Sequence, residues 1–252
     1  MDTGLRGKAV LVTGASRGIG RAVALAYAAD GACVALTYAT DATAADQVVG
    51  EIESTGGTAL AVRLDLAEPE SIRAAVARSA ERFGGLDVLV ANAVRWPVDA
   101  RAELADADPA TWQRALHINV DGTAETVRAA MPHVMASPAG RLVLISSGVS
   151  RHGMPGATAY AAAKAALDGL VAALKWEAGK HGVLVNIVSP GFTVTENNLA
   201  NFPDETREAV RARTPSGRLS APADVAAAVV FLGSPANGNI TGAYLPVAGG
   251  TD

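Results

Sequence analysis

An α/β fold with one doubly wound parallel sheet of about seven strands, and helices on both faces, is what this sequence predicts. Short β-rich runs alternate with longer alanine-rich stretches of helical character. The β-rich runs are nearly all apolar, as strands buried on both faces must be. A glycine-rich turn joins the first strand to the first helix. With 252 residues, half of them hydrophobic, the chain suits one large domain and leaves too little for two.

Strands are expected at 9–12, 33–37, 58–62, 88–91, 141–145, 184–188 and 244–247. Helices are expected at 19–29, 43–55, 70–83, 109–135, 159–180 and 223–232. Right-handed crossovers between successive strands then place helices on both sides of an open sheet. The irregular stretch 191–222 contains Pro203, Pro215, Gly217 and Pro222 and a short charged helix near 204–213. Because it directly follows a strand, it is expected to form a substrate lid over about 192–220, a surface excursion being the plainer alternative.

Composition narrows the function. A formal net charge of -4 leaves no basic stripe for nucleic acid. The longest apolar run, 225–232, is far short of the ~20 residues that cross a bilayer. The single cysteine, Cys33, cannot pair internally, and the start of the chain has no basic-then-apolar pattern, so a cytoplasmic protein is expected. The histidines His117, His133, His152 and His181 are scattered, and no metal site is expected.

The first strand runs into Thr13-Gly14-Ala15-Ser16-Arg17-Gly18-Ile19-Gly20. Glycines allow a tight turn and let a pyrophosphate approach the backbone, and the helix that follows offers free N–H groups. Taken alone, the turn also fits an ordinary strand-to-helix connection. The second strand ends in Tyr38-Ala39-Thr40 with no carboxylate before Asp41, and Arg17 sits in the turn. An acid there would bind the ribose 2′-hydroxyl and repel a 2′-phosphate; its absence beside an arginine points to NADP(H). Tyr160 and Lys164, at i and i+4, share a helix face, and a nearby ammonium is expected to lower the phenol's pKa. Ser147 lies in the preceding loop. By itself the Tyr–Lys pair also fits a surface helix.

Taken together, these segments resemble the short-chain dehydrogenases/reductases, with Asp65 after the third strand, Ala91-Asn92-Ala93 after the fourth, Asn119 on a long helix and Pro190-Gly191 with Thr195 after the sixth. The likeness runs from Gly7-Lys8 to Gly249-Gly250 and implies a Rossmann-type sheet. It implies that Tyr160 is the general acid in reduction, that Ser147 holds the carbonyl oxygen, that Lys164 binds the nicotinamide ribose and lowers the Tyr160 pKa, and that Asn119 holds a water of a proton relay. It implies cofactor contacts from Gly14, Ser16, Arg17, Gly18, Ile19 and Gly20, from Tyr38, and from Asp65 with Leu66 at the adenine. Further contacts are implied from Asn92 and Ala93, from Tyr160 and Lys164, and from Pro190, Gly191, Thr193 and Thr195 over the nicotinamide.

Two departures stand out: Ala91-Asn92-Ala93-Val94 replaces the usual Asn-Asn-Ala-Gly, and Ala248-Gly249-Gly250 replaces Asp-Gly-Gly. Val94 is expected to narrow the cleft near the ribose. Trp96, Met154, Phe192 and Leu199 fall in loops where they line either an apolar substrate pocket or core. Arg207, Arg211, Arg213 and Arg218 interleave with acids in the lid region, as a solvated mixed-charge helix would.

The reading is an NADPH-dependent ketoreductase, most similar to 3-oxoacyl-(acyl-carrier-protein) reductases, acting on a small-molecule ketone or an acyl-carrier-bound substrate. The alternatives are an NAD-dependent alcohol dehydrogenase for a sugar or steroid, and a non-catalytic cofactor-binding regulator. The resemblance further implies a homotetramer or homodimer joined through the helices around 111–135 and 157–180.

Overall fold

The computed structural model describes residues 2–96 and 102–251. Its seven strands form one parallel sheet in the order β3-β2-β1-β4-β5-β6-β7. They are β1 (Ala9–Val12), β2 (Cys33–Tyr38), β3 (Thr58–Arg63), β4 (Val88–Ala91), β5 (Arg141–Ile145), β6 (Leu184–Pro190) and β7 (Tyr244–Val247). The helices are α1 (Gly18–Ala29), α2 (Ala42–Ser54), α3 (Pro69–Phe83), α4 (Pro109–Leu116), α5 (Gly122–Ala136), α6 (Val149–His152), α7 (Thr158–Glu177), α8 (Glu196–Asn201), α9 (Asp204–Arg213) and α10 (Pro222–Leu232).

Alternating side chains of each strand feed two separate cores. Val10, Val12, Val34, Leu36, Val90 and Val143 pack with α1, α2 and α10. Leu11, Ala35, Leu89, Leu142, Leu144 and Ile187 pack with α3, α5 and α7 on the opposite face. Burial on both faces explains why the strands read as continuous apolar runs. The order reverses between β1 and β4, and open α/β sheets bind ligands beyond the strand ends at such a switch point.

The long helix expected over 109–135 is interrupted. α4 ends at Leu116, and a wide π-type turn over His117–Asp121 precedes α5. A Cβ on Gly122 would press on the Leu66 carbonyl and lie 2.9 Å from the Leu66 Cβ. The π-type turn thus stands just before the point where the helix approaches Leu66 most closely, and such turns are frequent at functional sites. The stretch after β6 carries the expected charged helix as α9, and also α8, which residue pattern alone did not signal. Its arginines are largely paired, Arg207 with Asp204, Arg211 with Glu208 and Arg218 with Asp224, so the mixed-charge reading of this segment holds.

Candidate active site

The glycine turn is held from three strands. The Thr13 hydroxyl accepts the N–H groups of Asn92 and Ala93 at 3.0 and 2.9 Å. The Thr37 hydroxyl accepts the Gly14 N–H at 3.1 Å, and the Thr37 carbonyl accepts the Ala15 N–H at 2.8 Å. Asn92, expected to line the adenosine side of the cleft, turns its amide inward and donates to the carbonyls of Thr13 and Gly14 at 2.9 and 3.0 Å. It braces the turn. The bracing roles of Thr13 and Thr37 were missed by motif reading, because a buried threonine at the end of an apolar strand is otherwise unremarkable.

This turn fits a dinucleotide. Gly14 and Gly18 have φ of +64 and +57°, a region side chains rarely adopt. A Cβ on Gly20 would lie 2.5 Å from the Asn92 Nδ2 and 2.9 Å from the Ala15 Cα. No side chain caps the N-terminus of α1, whose N-cap residue is Arg17. The first-turn N–H groups and the positive end of the helix dipole therefore remain for an anion. Ser16 and Ile19 are half-buried beside them, and Arg17 is exposed. Gly18 faces Thr195, whose Cγ2 would be 3.5 Å from a Cβ there, so the segment after β6 lies over the turn.

Tyr38 ends β2 half-buried against the first core. The first acid beyond it, Asp41, caps α2 by accepting the Ala44 N–H at 2.9 Å. No carboxylate is thus left at the end of β2 for a ribose. Val94 is 45% exposed.

Asp65 is already engaged. Both its oxygens accept from Arg95 Nη2, at 3.1 and 3.0 Å, and Oδ1 also accepts the Ala67 N–H at 2.9 Å. Its neighbour Leu66 is buried against Ile72 and Ile118. Asn119, expected to hold a relay water, spends its side chain on protein groups. Its Nδ2 donates to the carbonyls of Arg95 and Ala115, each at 3.0 Å, and its Oδ1 accepts the Arg95 N–H at 2.9 Å.

At the carboxyl end of β5 the structure brings Ser147, Tyr160 and Lys164 together. Ser147 hydrogen-bonds the Tyr160 hydroxyl. The Lys164 Nζ lies 5.9 Å from the centre of the Tyr160 ring and donates to the Ile145 carbonyl at 2.7 Å. The expected lowering of the phenol's pKa is not found. Burial pushes the Tyr160 phenol up, opposed in part by its hydrogen bond to Ser147. Burial also pulls the Lys164 ammonium down, to about 8. The Trp96 ring packs on Tyr160 with centroids 4.4 Å apart. Of the four loop side chains expected near the cleft, this is the one seen against a catalytic group; Phe192 instead packs edge-on against Phe202 at 5.3 Å.

Pro190, the last residue of β6, is buried, and Gly191 follows half-buried. A Cβ on Gly191 would lie 2.8 Å from the Ala248 Cβ, so small residues on both sides let this segment close on β7. Thr193 is buried and donates to the Gly191 carbonyl at 3.1 Å, which makes it a loop brace. The Thr195 hydroxyl caps α8, accepting the Asn198 N–H at 3.2 Å.

A glycine cradle at the switch point and a Ser–Tyr–Lys cluster at the end of β5 together define a dinucleotide-dependent oxidoreductase. Comparison with known proteins agrees. A family model described as enoyl-(acyl carrier protein) reductase matches residues 14–252. The L-rhamnose 1-dehydrogenase (NAD(P)(+)) of Sphingomonas sp. is 41% identical over 98% of this chain and 96% of that protein. The 3-oxoacyl-(acyl-carrier-protein) reductase of Vibrio cholerae is 37% identical over 98% of both chains. A short chain dehydrogenase from Burkholderia cenocepacia, solved in complex with NADP, superposes with a TM-score of 0.90 at 40% identity over 98% of both chains. The chain belongs to the short-chain dehydrogenases/reductases, oxidoreductases that interconvert alcohols and carbonyls with a nicotinamide cofactor.

Proposed function

We propose that this enzyme is an NADPH-dependent ketoreductase. The observation that carries the reading is the cluster at the end of β5, where the Tyr160 hydroxyl, protonated at neutral pH and so able to act as a general acid, lies beside the Ser147 hydroxyl. Two features support NADP(H): an exposed arginine, Arg17, in the phosphate-binding turn, and an acid-free end of β2. Gly14, Gly18 and Gly20 would take the pyrophosphate, with Arg17 at the 2′-phosphate and the Pro190–Thr195 segment over the nicotinamide. When bound, the cofactor supplies the hydride that attacks the carbonyl carbon.

The chain's own groups do the rest. The Ser147 hydroxyl donates to the substrate carbonyl oxygen and polarises it. The Tyr160 hydroxyl gives its proton to the same oxygen, so that carbonyl, hydride and proton become a secondary alcohol. Lys164, with a pKa lowered to about 8, remains charged at neutral pH and ties the helix that carries Tyr160 to the end of β5 through the Ile145 carbonyl. A second reading, oxidation of a sugar with either cofactor, is favoured by the 41% identity to the rhamnose dehydrogenase.

Initial-rate assays on a ketone panel with NADPH and NADH test the proposal. NADPH is expected to be preferred, and Arg17→Ala is expected to remove most of that preference by raising the KM for NADPH about tenfold or more while sparing NADH. Tyr160→Phe is expected to abolish reduction and keep NADPH binding. A wild-type preference for NADH refutes the cofactor assignment, and full turnover by Tyr160→Phe refutes the mechanism.

A further inference from the structure

Resting on the ketoreductase reading, we propose that Trp96 is the specificity-determining residue of this site, an aromatic wall beside Tyr160 that selects ring-shaped substrates, cyclic ketones and their secondary alcohols, over open-chain ones. No strand or helix holds the residue. It follows β4 by a few positions, in a loop, yet its neighbour Arg95 is held through both its backbone and its side chain. The Asn119 amide takes both Arg95 backbone groups, accepting the N–H at 2.9 Å and donating to the carbonyl at 3.0 Å. The Arg95 guanidinium reaches both oxygens of Asp65.

Asn119 is itself locked. Its Nδ2 donates to the Ala115 carbonyl at 3.0 Å, and its own carbonyl accepts the Thr123 hydroxyl at 2.7 Å across the π-type turn. The Asp65–Arg95–Asn119 clamp thus gives a loop residue the placement of a residue in a regular element. Such rigidity is what a site needs to hold a side chain within about half an ångström of a productive position.

What the clamp presents is an indole. Its ring meets the Tyr160 ring at 4.4 Å with the planes tilted by 56°. That contact uses part of the indole, and Trp96 remains only half-buried beside the Tyr160 ring. A flat aromatic wall rewards a substrate that lays a C–H-rich ring face against it. A flexible chain covers less of it and loses more conformational freedom in doing so. The same wall serves a carbocycle or a pyranose, since both offer axial C–H groups.

Two six-carbon ketones, cyclohexanone and 2-hexanone, isolate ring shape from carbon number. Reduction of each is followed with NADPH for the wild type, Trp96→Ala and Trp96→Phe. The wild type is expected to favour cyclohexanone in kcat/KM. Trp96→Ala is expected to cut that preference about three- to tenfold, mainly through a higher KM for cyclohexanone, and Trp96→Phe to restore most of it. Equal losses on both ketones, with a shifted pH profile of kcat, mean that Trp96 acts only through Tyr160 and overturn the inference. An unchanged ratio overturns it as well. If the wild type reduces neither ketone with either cofactor, the ketoreductase reading falls first and this inference with it; activity on both with an unmoved ratio sinks the inference alone.

Discussion

Replacing Lys164 with methionine should stabilise the protein at neutral pH while destroying its activity, and the gain should vanish in alkali. Lys164 is 5% exposed, and burial lowers its pKa from 10.5 to about 8. The difference, about 2.5 units, corresponds to about 3 kcal/mol of destabilisation whenever the side chain is charged in the fold. The unfolded chain binds more protons than the folded one between about pH 8 and 10.5, so wild-type stability rises with pH across that window and the penalty is complete below it. Methionine removes the charge at similar volume but strips the Ile145 carbonyl of its donor at 2.7 Å, a loss of about 1–3 kcal/mol. At pH 7 the variant should therefore equal or exceed the wild type in stability by up to about 2 kcal/mol.

The decisive quantity is the difference between the two proteins as a function of pH, in which titrations common to both cancel. It should move by about 3 kcal/mol towards the wild type from about pH 7 to 10.5, equivalent to about 6–12 °C in melting temperature for a chain of this size. Paired thermal melts at each pH measure it. A difference that stays flat across the window refutes the argument, because it would mean that the folded-state ammonium is as well solvated as the unfolded one.

Gly20→Ala should weaken dinucleotide binding by more than about tenfold and lower stability by about 2 kcal/mol, since its Cβ has no room against the Gly14 carbonyl and the Asn92 amide; a fluorescence titration with NADPH and a urea melt check it. Arg141→Met should cost about 3 kcal/mol in a urea melt and leave kcat unchanged. It deprives the carbonyls of Gly140, Ser234 and Asn237 of a buried guanidinium at the end of the sheet remote from Ser147.

The sheet was legible in the sequence because its physics is local and repeated. A strand buried on both faces must read as an apolar run, and each of the first six runs here is followed by a helix with its own start and stop. The glycine turn was legible for the same reason: φ values of +64 and +57° and the missing space at Gly20 leave glycine as the residue those positions accept. The interruption at His117–Asp121 was hidden, because Pro132, the strongest breaker within 109–135, lies inside α5 well beyond it, and the close approach of Gly122 to Leu66 shows only in the fold. The roles of Thr13, Thr37 and Arg95 were hidden likewise, since each depends on which carbonyl, amide or carboxylate the fold brings opposite.

The phenol shows most sharply where spacing stops being informative. Tyr160 and Lys164 at i and i+4 guarantee a shared helix face, and from that alone a lowered phenol pKa follows. Spacing does not say which partner the ammonium selects. Here the Ile145 carbonyl stands 2.7 Å from Nζ, while the Tyr160 ring centre is 5.9 Å away and roofed by an indole. Attraction between charges weakens with distance and desolvation does not, so at this separation burial wins and the phenol stays protonated. An acid that keeps its proton until a carbonyl oxygen arrives is suited to reduction. By the same reasoning, any change that turns Lys164 from Ile145 toward the Tyr160 hydroxyl would lower the phenol's pKa and move the pH dependence of the acid–base step with it.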